Sequence, residues 1–141
     1  MNYNPQKPCP CQSQLIFSEC CQKILIDHSQ AQQAIQVLRA RFSAYFLKNA
    51  TYIERSMAKA AKQDFDLSET KKWINQTKFI KLNIIKTSQG EATDELGWIE
   101  YKATIIHNHK VSVIHEISCF EKINQEWLYT DQINDWQAVQ A

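Results

Sequence analysis

The sequence predicts an α+β protein in which helices pack on one face of a curved antiparallel sheet, preceded by a small cysteine-rich element. Three observations carry that prediction. Between Ser29 and Asn75, apolar residues recur at three- and four-residue steps behind capping signals. After Gln76 the texture turns to β-branched and aromatic residues that alternate with polar ones. Four of the five cysteines, together with all three prolines, fall within the first 21 residues.

The 141 residues have room for one ordinary globular domain and a small appendage. Residues 1–27 form the appendage. Met1–Lys7 is polar, and the cysteine segment has too few apolar residues for a core, so something other than packing must hold it together. Residues 28–141 form the α+β domain. Its first helix opens at Ser29, where Ser29-Gln30-Ala31-Gln32 fits a capping box, and Ala31, Ile35, Leu38, Phe42 and Tyr45 make its buried stripe. Thr51-Tyr52-Ile53-Glu54 fits a second capping box, opening a helix that turns Ile53, Met57 and Ala60 or Ala61 inward. A third, short helix covers Ser68 to Asn75. Strands follow at 79–88, 97–107, 111–122 and 126–133, and their consecutive order implies an antiparallel meander. In the second strand Ile99, Tyr101, Ala103 and Ile105 alternate with Glu100, Lys102 and Thr104, which gives one buried and one wetter face. Asn108-His109 marks a tight turn into the third strand.

Composition narrows the function. Gly90 and Gly97 are the only glycines, which excludes a dinucleotide fingerprint or a P-loop, because each needs several glycines close together for the backbone to approach a phosphate. Sixteen basic and fifteen acidic side chains are interspersed, and a formal charge of +1 sets up no field to attract a nucleic-acid backbone. No apolar run approaches the roughly 18 residues of a membrane span, and the N-terminus lacks the pattern of an export leader. The expectation is a soluble cytoplasmic protein with neither nucleic acid nor membrane among its partners.

Cys9-Pro10-Cys11 and Cys20-Cys21 place four thiols on two short segments that one turn can bring together. Four thiolates suit tetrahedral zinc at about 2.3 Å per bond, and a closed shell of four protein ligands points to a structural ion. Zinc would also supply the folding free energy that so small a segment lacks. Four thiolates and one dication would take the formal +1 to −1. Three other readings compete. Disulfides are disfavoured in a reducing compartment, a redox role for Cys20-Cys21 finds no flanking group to depress a thiol pKa, and His28 could replace one thiol. Cys119 stands apart from the four and reads as a small apolar residue of the sheet.

Cys9-Pro10-Cys11-Gln12-Ser13 through Glu19-Cys20-Cys21 resembles the SEC-C motif, a zinc-binding element found at the C-terminus of the translocation ATPase SecA and in other bacterial proteins. Leu38-Arg39-Ala40-Arg41-Phe42-Ser43-Ala44-Tyr45, Gly97-Trp98-Ile99-Glu100-Tyr101, His115-Glu116-Ile117-Ser118-Cys119-Phe120 and Trp127-Leu128-Tyr129 resemble successive blocks of the YchJ-type family. That family joins an N-terminal SEC-C motif to a domain similar to nuclear transport factor 2. The resemblance implies an NTF2-like cone, zinc on Cys9, Cys11, Cys20 and Cys21, and a protein partner, since the similar element of SecA contacts a chaperone and the ribosome. The chain departs from the pattern at Gln12 and Gln14, where glycines are usual, at Met57-Ala58-Lys59, which replaces an aromatic-His-Pro, and at Gln132, also a usual glycine.

An NTF2-like cone can be a pocket or be filled, so the residues must decide. On the third strand Glu116 shares a face with Ile114, Ser118 and Phe120, where a carboxylate would be desolvated unless a cation pairs with it. Arg39 and Arg41 flank opposite edges of the first helix's stripe, and either could reach the sheet. The preferred reading is a structural ion pair between Glu116 and an arginine. The alternative is a small-molecule or enzymatic pocket centred on Glu116 and lined by Tyr101, Phe120 and Arg41. No second catalytic group is identifiable beside Glu116, so the preferred function is a non-enzymatic, zinc-stabilised adaptor module. His115 reads as a hydrogen-bonded structural residue, His107 and His109 as solvated turn histidines rather than a metal pair, and Trp98, Trp127 and Trp136 as packing residues.

Overall fold

In the computed structural model, which describes residues 3–139, four strands follow one another in a single antiparallel meander. They are β1 (Thr77–Gln89), β2 (Leu96–His107), β3 (Lys110–Ile123) and β4 (Glu126–Ile133). Each contains the strand expected from the alternation. Two-residue loops close the last two hairpins: Asn108-His109 joins the His107–Lys110 pair, and Asn124-Gln125 joins the Ile123–Glu126 pair. All four loop residues take positive φ, at 50°, 68°, 51° and 70°, which is the turn geometry that matches the right-handed twist of the flanking strands. Register shifts at Phe79/Lys81, Ile84/Lys86 and Cys119/Phe120 bend the sheet further.

Both glycines serve one point of the β1–β2 connection. The Gly90 N–H donates to the Leu96 carbonyl at 2.9 Å, while the Gly90 carbonyl accepts from the Ala34 N–H at 3.0 Å. A Cβ on Gly97 would stand 2.7 Å from the Gly90 Cα and 3.1 Å from the Ala34 Cβ. The start of a helix is thus seated on the hairpin at a contact too close for a side chain.

Among the described residues four α-helices precede the sheet: α1 (Cys21–Ile26), α2 (Ala34–Phe46), α3 (Ala50–Arg55) and α4 (Leu67–Asn75). Two starts differ from the sequence expectation. The Ser29 N–H and hydroxyl both donate to Asp27 Oδ1, at 3.1 and 2.7 Å, which draws His28–Gln30 into a 3₁₀ turn. The long helix begins at Ala34 instead, where Gln33 and Gln36 form the reciprocal cap. For α3 the cap is Asn49, whose side chain accepts from the Tyr52 N–H at 3.0 Å, and not Thr51. That helix stops at Arg55. Ser56–Ala58 then runs alongside β4, with Ala58 N–H donating to the Tyr129 carbonyl and Tyr129 N–H to the Ser56 carbonyl, both at 2.8 Å. Met57 and Ala58 are consequently buried, while Ala60 is exposed and Ala61 half-buried.

The core lies between α2 and the inner face of the sheet. Val37, Leu38 and Phe42 pack with Phe79, Ile99, Ala103, Phe120 and Trp127, each large side chain contributing about 1.5–3 kcal/mol by leaving water. Phe42 meets Phe79 edge-on at 5.6 Å, and Tyr45 stacks on it at 4.8 Å. Cys9, Cys11, Phe17, Cys21 and Ile24 belong to the same apolar cluster, so the N-terminal segment is packed onto the other side of α2.

Candidate metal centre and cavity

The thiol cluster is built from a strand-like loop and a helix start. The Cys9 N–H donates to the Leu15 carbonyl at 2.8 Å and the Gln12 N–H to the Cys9 carbonyl at 3.0 Å, closing a loop that turns Cys9 and Cys11 the same way. Gln12 and Gln14 adopt φ of 65° and 77°, the left-handed conformations for which glycine is usual. Cys21 opens α1, with Cys20 immediately before it. The result brings all four sulfurs within 4.8 Å of one another, with Cys11–Cys20 at 3.6 Å and Cys20–Cys21 at 3.9 Å. Zinc–sulfur bonds of about 2.3 Å in a tetrahedron put sulfurs roughly 3.8 Å apart, so the donor set fits that ion in number, type and spacing. Cys9, Cys11 and Cys21 are buried. Hydrogen bonds from Cys20, then Cys21 and Cys9, hold Cys11 well below the ordinary thiol range, whereas Cys20 and Cys21 are pushed up, chiefly by Cys11. Four thiolates this close repel one another, and a dication would remove that repulsion.

Three neighbours complete the surround. Ser13 Oγ lies 3.1 Å from Cys20 Sγ, and Ser43 Oγ of α2 lies 3.6 Å from Cys9 Sγ. Arg39 Nη1 donates to the Cys11 carbonyl at 2.9 Å and stands 3.8 Å from Cys11 Sγ. Arg39 therefore faces the thiols and not the sheet, correcting one of the two arginine placements. Ser43 stands one helical turn after Arg39, and that shared-face spacing beside the apolar stripe is the signal from which both could have been read. Among the described residues these thiols are the only cluster of three or more potential metal ligands.

His28 lies outside the thiol cluster. It is buried, with Nε2 2.6 Å from the Trp127 carbonyl and Nδ1 2.8 Å from the Tyr52 hydroxyl. A carbonyl only accepts, so Nε2 carries the proton and Nδ1 accepts from Tyr52. Burial holds the His28 pKa below its ordinary value. His107 is likewise engaged, bonded to Thr77 Oγ1 at 2.7 Å and stacked on Trp73, while His109 sits exposed in its turn. On the outer face His115 bonds Glu100 at 2.7 Å, and Trp136 donates to the same carboxylate at 2.7 Å. Trp127 is buried with its indole N–H on the Gln32 carbonyl at 3.1 Å, Trp98 is half-buried, and burial raises the Cys119 thiol pKa.

On the opposite side of α2 is a cavity of about 400 Å³. Glu116, Tyr101 and Arg41 line it, together with an aromatic wall from Phe42, Tyr45, Trp73 and Phe79. Phe120 does not take part; it is buried against the Tyr129 ring at 6.0 Å. The expected ion pair between Glu116 and an arginine is absent among the described residues. Arg41 Nη1 instead donates to the Ile53 carbonyl at 3.1 Å and Ser56 Oγ at 2.7 Å, and its guanidinium rides 4.5 Å over the Tyr129 ring. Glu116 accepts from the Tyr101 hydroxyl at 3.0 Å and, with the Gln132 amide turned to donate, from that nitrogen at 3.1 and 3.2 Å. Burial first, and then the Glu116 charge, raises the Tyr101 pKa, so this phenol stays a donor. Burial likewise pushes Tyr129 up to about 12.

A helix lying across a curved four-stranded meander, with a cysteine-rich element docked behind it, defines an NTF2-like domain carrying a SEC-C type motif. Comparison with known proteins agrees. Residues 33–132 match the family model described as "YchJ, middle NTF2-like domain". The chain belongs to the YchJ-type family, whose relatives carry the name UPF0225. A UPF0225 protein of Photorhabdus laumondii is 33% identical over 130 residues, covering 89% of this chain and 79% of the relative. One from Haemophilus influenzae is 32% identical, covering 87% and 75%. Two solved structures share the fold: a SEC-C motif containing protein from Rhodopseudomonas palustris, with a TM-score of 0.79, 22% identity and coverage of 90% and 98%, and one from Psychrobacter arcticus, at 0.76, 23%, 90% and 82%. No helix among the described residues is long and apolar enough to cross a membrane.

Proposed function

We propose that the chain is a zinc-stabilised, non-enzymatic adaptor: Cys9, Cys11, Cys20 and Cys21 hold one structural zinc ion, and the element so fixed binds a protein partner. The observation that carries the metal is the convergence of four sulfurs within 4.8 Å. A closed four-sulfur shell leaves no open coordination position for substrate, which suits a structural ion. The partner reading rests on the likeness of the element to that of SecA, which points to a ribosomal or chaperone surface. It also rests on two apolar side chains that the element leaves in water, Leu15 at 52% and Ile26 at 78% exposure.

Two measurements test the parts separately. Native mass spectrometry and elemental analysis of the purified chain should find one zinc per chain, lost in Cys20→Ser; no metal in the reduced protein would overturn the site. Cosedimentation with purified ribosomes, and a binding assay with a purified chaperone, should show capture that fails in Cys20→Ser and in Leu15→Ser/Ile26→Ser. Failure of the zinc-loaded protein to bind either would leave the metal site standing and remove the partner.

A further inference from the structure

The cavity beside α2 carries two opposite charges that the protein brings near one another and does not join. Glu116 is hydrogen-bonded only by neutral donors, Tyr101 and Gln132, and forms no ion pair among the described residues. Arg41 is held by a carbonyl, a hydroxyl and a ring face, and it too forms no ion pair. Both side chains are half-buried, and proteins ordinarily pair opposite charges that line the same cavity. Here both are fixed in place by neighbours, which is the arrangement of a site whose counter-charges arrive with a ligand. Between them the wall is aromatic, with Tyr45 stacked on Phe79 at 4.8 Å and Trp73 edge-on to Phe79 at 5.8 Å. A flat ring extends such an array through further edge or offset contacts. The volume of about 400 Å³ lies in the ordinary range of small-ligand sites.

We propose that this cavity binds a small zwitterion with an aromatic body, a free aromatic α-amino acid being the simplest, with its ammonium on Glu116 and its carboxylate on Arg41. The site goes beyond the zinc-adaptor reading and does not depend on it, because cavity and thiols lie on opposite sides of α2.

The test uses the full-length chain as purified and three probes: L-phenylalanine, 2-phenylethylamine, which keeps only the cation, and 3-phenylpropionate, which keeps only the anion. Calorimetric titration should show saturable binding of L-phenylalanine, about tenfold or more tighter than either analogue, since each charge-assisted contact is worth at least that factor. Glu116→Gln keeps the Tyr101 hydrogen bond and should bring L-phenylalanine down to the affinity of 3-phenylpropionate while leaving the latter unchanged. Arg41→Gln should equalise L-phenylalanine with 2-phenylethylamine. If loss of the Ser56 bond unfolds that variant, Glu116→Gln with the two analogues still decides. No saturation by L-phenylalanine up to about 10 mM, where affinity would be negligible, overturns the proposal. So does either analogue binding as tightly as the zwitterion, or indifference to Glu116→Gln.

Discussion

Arg39 and Arg41 stand two residues apart on α2 and serve opposite regions. Arg39 bonds the Cys11 carbonyl beside the thiols, whereas Arg41 lines the cavity. The two regions satisfy their charges differently. On the thiol side every potential ligand points at one centre, with Arg39, Ser13 and Ser43 turned toward the sulfurs. That geometry suits the dication proposed above, whose binding would add to the free energy of folding. On the cavity side Glu116 and Arg41 are held apart by separate hydrogen bonds, and nothing in the protein's own stability requires them to meet. On the two proposals, one region holds the chain together through its metal, and the other offers its charges to a ligand.

The largest expected effect breaks the thiol side. Cys11→Ser removes the most buried of the four thiols, and with it, on the proposed zinc site, the centre that would support residues 9–26. Loss of a structural metal belongs to the small class of substitutions costing about 4 kcal/mol or more. Thermal unfolding of Cys11→Ser should show that loss together with absent zinc, and chelation of the wild type should reproduce it. Glu116→Gln, by contrast, should shift stability by no more than about 1 kcal/mol, because the amide still accepts from Tyr101. If both variants unfold alike, the difference between the regions disappears.

Next in size is the glycine contact that seats α2 on the sheet. Gly97→Ala would place a methyl 2.7 Å from the Gly90 Cα, where only backbone can yield, and overpacking of this kind costs about 1–3 kcal/mol. Denaturant unfolding of Gly97→Ala should measure it, and an unchanged midpoint would show that the hairpin gives way freely. The same pair shows where sequence reading reaches its limit. The strands were legible because period-two alternation is local, and the thiols because residue type and clustering name the chemistry. The scarcity of glycine excluded phosphate loops, but it could not say that the two present touch one another. The start of α2 was misplaced because Asp27, outside the expected capping box, takes the hydrogen bonds of Ser29. The Glu116–arginine pair failed similarly: Arg41 is claimed by Ile53 and Ser56, a competition decided by where α3 ends, which no spacing in the sequence announces.

Acid should probe a link between the regions, since His28 follows the thiol element and its ring ties α3 to β4 through Tyr52 and Trp127. Its pKa is held below the ordinary 6.5 by burial. Below that value the unfolded chain takes up a proton that the folded chain refuses, so this contribution to stability is present above about pH 6.5 and lost as pH falls toward the lowered folded-state pKa. Unfolding midpoints should therefore drop between pH 7 and pH 5 at constant zinc content. His28→Gln should start less stable at pH 7 and show a shallower decline over that interval. A parallel decline in both proteins would assign the acid sensitivity to other groups.

The smallest effect concerns how the thiol element reaches the sheet edge. Gln12 stands in a glycine conformation, φ 65°, yet its side chain imitates a strand: Nε2 donates to the Ile80 carbonyl at 2.9 Å and Oε1 accepts from the Leu82 N–H at 3.1 Å. Those contacts cap the free edge of β1 beside its register shift between Phe79 and Lys81, where an unpaired N–H and carbonyl would otherwise face water or another chain. Two partly exposed hydrogen bonds are worth about 1 kcal/mol together, and a left-handed backbone at a non-glycine residue costs about as much. The two nearly cancel, so Gln12→Gly should leave global stability within about 0.5 kcal/mol, because it relieves the strain as it gives up the clamp. Gln12→Ala keeps the strain and loses the clamp, and it should cost about 1 kcal/mol. Amide exchange at Leu82 separates the contributions: it should accelerate in both variants, whereas only Gln12→Ala lowers the unfolding midpoint. Protection at Leu82 that survives both substitutions would mean that the edge is held by the sheet alone and the element merely rests beside it.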